Sequence, residues 1–129
     1  MKRILLCLSL AAFCHAAGAQ WDMLGRNENL RLYIDRTPVQ QQGDIATVWQ
    51  MIDYTSAQWV GASVVMSVRN LVEYDCKARR ARTVGVIAYS EQLGAGREVV
   101  SERLPNAEWA NIPAASTGEN LWKIACRVE

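Results

Sequence analysis

Polar and apolar residues alternate along much of the first three-quarters of the chain, and this period of two predicts β-strands. In the clearest run, Leu30, Leu32 and Ile34 fall on one face. A second run, residues 45–54, is apolar on both faces, as expected of an interior strand with something packed over it. Short strands joined by tight turns predict an antiparallel meander of five or six strands. The main predicted strands are residues 30–35, 45–54, 63–76, 82–90 and 97–104.

The last part of the chain changes to a helical period. Ser116 and Glu119 fit a capping box at a helix start. An apolar stripe with helical spacing follows, formed by Leu121, Ile124, Ala125 and Val128. So short a helix is unstable alone in water, and we expect it to dock on the sheet. The predicted fold is α+β: an antiparallel sheet of about six strands with a C-terminal helix packed on one face.

The first nineteen residues resemble a cleavable signal peptide. Lys2 and Arg3 form a positive start, residues 4–13 are almost entirely apolar, and residues 17–19 are small. This pattern predicts cleavage before Gln20. The apolar stretch is about half the length needed to cross a bilayer. We therefore expect residues 1–19 to be removed and residues 20–129 to form a single exported domain, periplasmic or at the cell surface.

Lipidation is the rival interpretation of this leader. Residues 10–14 end in Cys14, as a lipoprotein signal does, but Phe13 stands where a small residue is required. Ordinary cleavage is therefore favoured. It would remove Cys14 together with Cys7 and His15, which is the only histidine of the chain.

Two cysteines, Cys76 and Cys126, remain after cleavage. In an oxidising compartment their default state is a disulfide. A bond closing a loop of that length stabilises the fold by about 4 kcal/mol in the chain-entropy estimate. Two free thiols or a metal-binding pair are the alternatives, and two cysteines without histidine make a poor zinc site.

The expected loss of the histidine argues against catalysis, because it removes the usual general base at neutral pH. Glu73 and Asp75 lie two positions apart and could form a catalytic carboxylate pair. The preferred interpretation pairs them with Arg80 and Arg82 across a hairpin. We therefore predict a protein that is not an enzyme and that has no metal or cofactor.

Two features are candidate partner-binding sites. Lys77, Arg79, Arg80 and Arg82 concentrate positive charge at a predicted hairpin turn, which would suit an anionic partner, although a solvated turn is the simpler interpretation. The cluster is too narrow for nucleic-acid binding. Trp59 lies in a loop-like segment where an exposed aromatic residue would suit a protein or sugar contact. A tryptophan in such a segment more often packs back onto the small core than remains exposed for binding.

Several motifs occur in an order that is similar to the surface-adhesin protein E family of Gram-negative bacteria. The most specific are the step Tyr74-Asp75-Cys76 and the final Cys126. The resemblance covers residues 21–126 and implies a six-stranded antiparallel sheet with a C-terminal helix held by the two cysteines. It also implies a binding role at or beneath the bacterial surface, with host matrix and plasma proteins as partners in the namesake branch. The remaining motifs are Tyr33-Ile34-Asp35, residues 48–54, residues 67–73, residues 79–82, Tyr89, Gly94-x-Gly96 and Trp109-x-x-Ile112-Pro113.

The leading hypothesis is an exported, non-catalytic binding protein for a host or envelope macromolecule. A small-ligand carrier is the second hypothesis, and a haem carrier of this kind would need a tyrosine or methionine ligand. An inhibitor of a cell-wall hydrolase is the third. An open sheet edge would be compatible with a homodimer. No segment after the leader is apolar enough to span a membrane.

Overall fold

The computed structural model describes residues 20–36 and 40–129. The predicted leader and its Cys14 lie outside these residues. The described chain forms eight strands, one 3₁₀ turn and one helix. These are β1 (Trp21–Arg26), β2 (Leu30–Asp35), β3 (Gln40–Gln42), β4 (Ile45–Val60), β5 (Ser63–Asp75), β6 (Arg80–Tyr89), the 3₁₀ turn (Gln92–Gly94), β7 (Glu98–Arg103), β8 (Ala110–Asn111) and α1 (Thr117–Cys126).

The strands form a single antiparallel sheet. Six of them follow the order β1-β2-β4-β5-β6-β7, while β3 pairs with β4 and β8 pairs with β6. The expectation of about six strands therefore needs a correction to eight, because it did not count the short strands β3 and β8. The sequence-based prediction also did not include β1, whose pairing with β2 shifts register between Met23 and Gly25. Regular alternation is absent from β1, so it gave no period-two signal.

The hairpin of β4 and β5 is longer than expected. β4 continues to Val60, turns through Gly61 in the left-handed region at φ +61° and returns as β5. Trp59 pairs with Val64 in this hairpin and is 65% exposed. The prediction that Trp59 lies in a loop and folds back onto the core is therefore wrong.

The helix begins as expected. The amide of Glu119 donates to the hydroxyl of Ser116 at 3.2 Å. The Glu119 carboxylate reaches back to the amide of Ala115 at 2.8 Å, one residue before the cap. At the other end, Arg127 in the left-handed conformation ends the helix, so that Val128 lies beyond it and is 42% exposed rather than on the apolar stripe.

The main core lies between the helix and the sheet. Leu121, Trp122 and Ala125 of α1 share a buried cluster with apolar residues from three strands, namely Ile34, Ala46, Val48, Val72 and Tyr74. Cys76 and Cys126 form the expected disulfide, with an S–S distance of 2.04 Å across 50 positions of sequence. The free-thiol and metal alternatives are therefore excluded for this pair.

Candidate binding surface

An apolar row crosses the sheet on the same side as the helix. It follows the register of five neighbouring strands through Leu32, Ile52, Val68, Ala88 and Val100. Directly paired residues share a face. The described cluster beneath the helix includes Leu32 but not the other four. We call these four residues the open face because they lie outside the buried cluster beneath the helix. Ile52, Val68 and Val100 are half-buried, and Ala88 between them is buried.

The far end of the β4–β5 hairpin extends this apolar side. Residues 54–68 contain no Asp, Glu, Lys, Arg or His. We call residues 55–66 the arm, and its tip exposes Trp59 by 65% and Val60 by 49%. Val64, the partner of Trp59, lies on the same side of β5 as Val68 because side chains four positions apart on a strand share a face. The arm therefore continues the open face.

The base of the arm is fixed by hydrogen bonds. The amide of Thr55 donates to the carbonyl of Asn29 at 3.0 Å, and its hydroxyl donates to the carbonyl of Glu28 at 2.7 Å. The side chain of Gln92 donates to the carbonyl of Tyr54 at 2.8 Å. These bonds tie Tyr54 and Thr55, which lie at the start of the register shift in β4, to neighbouring turns. The tip is therefore presented from an anchored position.

The opposite side of the sheet carries a stacked arginine. The Arg69 guanidinium carbon lies 4.7 Å from the ring centroid of Trp49 and 5.4 Å from that of Trp21. It also donates to the hydroxyl of Tyr89 at 3.4 Å. Trp49 is therefore half-buried in a cation–π cluster that is separate from the core beneath the helix and ties β1 to the centre of the sheet.

Buried polar groups hold the 3₁₀ turn on this side. The carboxylate of Asp53 accepts from Arg31 at 3.1 Å and from the amide of Leu93 at 2.7 Å. The hydroxyl of Ser67 donates to the carbonyl of Glu91 at 2.7 Å and accepts from the amide of Gly94 at 2.9 Å. These groups are used in structural hydrogen bonds.

The predicted basic cluster lies at the other end of β5. Because β5 is 13 residues long, the cluster lies about 40 Å from the tip of the arm. Arg79 pairs with Glu119 at 3.2 Å. The predicted pairs are confirmed, with Arg80 at 3.0 Å from Asp75 and Arg82 at 2.8 Å from Glu73. The structure thus keeps the basic cluster and Trp59 apart.

Ion pairing reduces the positive charge available in this cluster. Arg80 and Arg82 also stack on Trp109, at 4.8 and 4.4 Å from its ring centroid. Lys77 is exposed and makes no ion pair within the described chain. The cluster therefore presents one free cation and three paired arginines among the four candidate residues.

Two carboxylates at this end are held in their charged form. The amide of Ala78, with smaller contributions from Arg80 and Lys77, lowers the pKa of Asp75. The amide of Ala115, followed by Arg79 and Lys123, lowers the pKa of Glu119. Burial raises the pKa of Tyr74 to about 12, although Gln50 donates a hydrogen bond to its hydroxyl. At neutral pH the two acids are anionic and Tyr74 is protonated.

In residues 20–36 and 40–129, no group of three or more His, Cys, Asp or Glu side chains is placed to hold a metal ion. In the same part of the chain, α1 does not have the length or apolar character of a bilayer-spanning helix. What the described surface offers is an exposed apolar arm and a partly open sheet face.

These features define a small disulfide-bonded antiparallel sheet domain with an exposed apolar hairpin end. The family model described as "Surface-adhesin protein E" matches residues 21–127, and the chain belongs to this family. The expected family membership is thereby confirmed. A comparison with curated proteins found no match.

Solved structures show the same fold. The structure of Haemophilus influenzae protein E is 18% identical, covers 83% of each chain and has a TM-score of 0.66. Protein E from non-typeable Haemophilus influenzae is also 18% identical with a TM-score of 0.66, covering 83% of this chain and 75% of that one. At this identity the likeness concerns the architecture of the sheet and helix.

Sequence reasoning identified Trp59 but missed the surface around it. The available signal was the absence of charge from residues 54–68, since exposed hairpin ends normally carry charged residues. The open face is harder to predict from the sequence. The two-sided apolar pattern of residues 45–54 indicated packing on both faces, but which part the helix covers depends on pairings between distant strands.

Proposed function

We propose that this chain is an exported, non-catalytic adhesin that binds a host extracellular-matrix protein through the tip of the arm. The observation that carries the proposal is the 65% exposure of Trp59 on a segment without charge. A tryptophan side chain has roughly 200 Å² to bury, so a partner that covers the exposed part gains about 3 kcal/mol. Exposed aromatic residues of this kind are typical binding hot spots.

The neighbouring surface supports a protein partner. The arm continues onto the open face, so a partner that covers Trp59 could also bury Ile52 and Val68. Lys77 and the three arginines are a second, weaker contact in this proposal because the arginines are already ion-paired. Membership of the adhesin family favours this function. It gives no support to the small-ligand carrier or the hydrolase inhibitor.

Binding to matrix proteins is the direct test. The purified, oxidised protein would be measured by biolayer interferometry against immobilised laminin, fibronectin and collagen. We expect saturable binding to at least one of them and at least a tenfold loss of affinity in Trp59→Ser. Val128→Ser is the matched control, because Val128 is also an exposed apolar residue but lies outside the arm.

Two results would contradict the proposal. One is the absence of saturable binding to any matrix protein, with a partner recovered only from periplasmic extract. The other is a Trp59→Ser protein that binds as tightly as the wild type. Lys77→Ala should change the affinity less than threefold, since one exposed charge contributes little.

Export is part of the proposal and has its own test. We infer cleavage before Gln20 and location in the periplasm or at the cell surface. Mass spectrometry of the protein from fractionated cells should give a mature N-terminus at Gln20. A diacylated Cys14 would instead identify a lipid-anchored protein.

A further inference from the structure

A polar groove of about 520 Å³ lies on the side of the sheet opposite the helix, where β3 joins β4. Its floor is a row of paired residues across four strands. The row contains Gln40, Thr47, Glu73 and Arg82. Gln42 and Ile45 form the next pair and also line the groove. The volume is within the range of about 300–1,000 Å³ that is usual for ligand sites.

The charged groups of the groove cancel each other. Arg82 donates from Nε to Glu73 at 2.8 Å, and its Nη1 lies 3.5 Å from the carbonyl of Ala107. Trp109 stacks on the same guanidinium at 4.4 Å. Because these contacts fix Arg82 and neutralise Glu73, the groove offers no unpaired charge to attract an ion. An anionic or cationic ligand is therefore disfavoured.

The groups that remain available are neutral. Within the described chain, the amides of Gln40 and Gln42 and the hydroxyl of Thr47 make no hydrogen bond to protein. Each glutamine amide places a donor beside an acceptor. Neighbouring hydroxyls of a sugar ring present the same combination. Among the described residues that line the groove, Ile45 is the one with an apolar side chain, so an apolar ligand would leave most of these polar groups without partners.

We propose that this groove, bounded by Gln40, Gln42, Thr47 and the Glu73–Arg82 pair, binds a neutral oligosaccharide. Gln40 and Gln42 hydrogen-bond to sugar hydroxyls, Thr47 adds a third contact, and the fixed ion pair forms a rigid polar floor. The site lies on the opposite side of the sheet from the open face. It is therefore independent of the arm, and the proposal does not rest on protein binding by Trp59.

The test is an NMR titration of the ¹⁵N-labelled protein with three neutral probes, chitotetraose, maltotetraose and laminaritetraose. At least one should produce saturable shifts confined to β3 and the adjacent ends of β4, β5 and β6, with a Kd in the millimolar range or below. A heparin tetrasaccharide is the anionic comparison and should bind more weakly.

Two variants localise the binding. Gln40→Ala combined with Gln42→Ala should weaken it at least tenfold, which corresponds to the loss of one to two hydrogen bonds. Thr47→Val keeps the shape of the side chain and should weaken it severalfold. Gln58→Ala, a glutamine on the arm, is the matched control and should leave the affinity unchanged.

Each remaining outcome overturns the proposal. These outcomes are no saturable shift with any of the three probes, tighter binding of the heparin fragment, or affinity that the groove variants leave unchanged. Trp59→Ser is measured in parallel. Loss of sugar binding in that variant would place the site on the arm instead.

Discussion

The indole Nε1 of Trp122 donates a hydrogen bond to the backbone carbonyl of Asp75 at 3.1 Å. Asp75 immediately precedes Cys76, whose sulfur is bonded to Cys126, four residues after Trp122. The same end of β5 therefore holds the helix by a buried hydrogen bond and by a covalent link. A 10-residue helix needs such tertiary support, because isolated helices of this length are marginal in water.

The hydrogen bond of Trp122 predicts a specific loss of stability. Trp122→Phe keeps an aromatic ring but removes this hydrogen bond from the carbonyl of Asp75, which still accepts from the amide of Arg79 at 3.1 Å. The loss of the one hydrogen bond should cost about 0.5–1.5 kcal/mol. Urea unfolding followed by circular dichroism would measure it. Trp59→Phe is the matched control, and its effect should stay within about 0.5 kcal/mol because Trp59 is exposed. Equal losses in the two variants would contradict the structure.

The disulfide predicts a larger effect. Replacing Cys76 and Cys126 together by serine should lower the free energy of unfolding by about 4 kcal/mol, since the bond spans 50 positions. Reduction of the wild type with dithiothreitol should produce a similar loss, measured as the shift in the urea midpoint. The double variant should be insensitive to the reductant. An unchanged midpoint on reduction would contradict the prediction.

The parts of the fold that depend on local sequence could be predicted. β2 has the expected bounds, because Leu30, Leu32 and Ile34 alternate without interruption. The pairs of Glu73 with Arg82 and of Asp75 with Arg80 follow from a short hairpin whose register the turn fixes. The Ser116 cap likewise needs only neighbouring residues.

The parts of the fold that depend on contacts between distant residues could not be predicted from the sequence. The small and polar residues 55–58 indicate a loop before Trp59, yet pairing of Trp59 with Val64 across the turn makes this segment a strand. The stacking of Trp21 and Trp49 on Arg69 joins three strands from separate parts of the sequence. No local pattern contains that information. The groove has the same origin, since its row of residues exists only after β3, β4, β5 and β6 have paired.

Gly96, in the loop after β6, and Gly25, in β1, are predicted to respond differently to substitution by alanine. Gly96 has φ +78°, and an added Cβ would lie 2.4 Å from the hydroxyl oxygen of Ser90. That hydroxyl accepts from the amide of Arg97 at 2.8 Å, so it has little freedom to move. Gly96→Ala should therefore cost about 1–3 kcal/mol.

Gly25 is the control for this substitution. It has no heavy atom within 4 Å of an added Cβ and its φ is not in the left-handed region. Gly25→Ala should be neutral or stabilising by up to about 1 kcal/mol, because alanine restricts the unfolded chain. Thermal unfolding of both variants would show the contrast. A Gly96→Ala protein as stable as Gly25→Ala would refute the loop geometry.

The hydrogen bonds to Asp75 predict how stability depends on pH. Its carboxylate accepts from the amides of Ala78 and Lys77 at 2.9 and 3.1 Å and from Arg80 at 3.0 Å, which lowers its pKa from the ordinary value of 3.8. Below that value the unfolded state binds the proton more readily than the folded state. The contribution of Asp75 is therefore complete above about pH 4 and is lost as the pH falls towards the lowered pKa.

Asp75→Asn isolates this effect because it removes the titrating group and retains an oxygen acceptor for the amides. The variant should be less stable than the wild type at pH 7, and the difference should narrow between pH 4 and pH 2. Urea midpoints across this interval would measure it. Asp44→Asn, at an exposed aspartate without an ion pair in residues 20–36 and 40–129, is the control. A gap between wild type and Asp75→Asn that stays constant down to pH 2 would show that the carboxylate charge does not stabilise this end of the sheet.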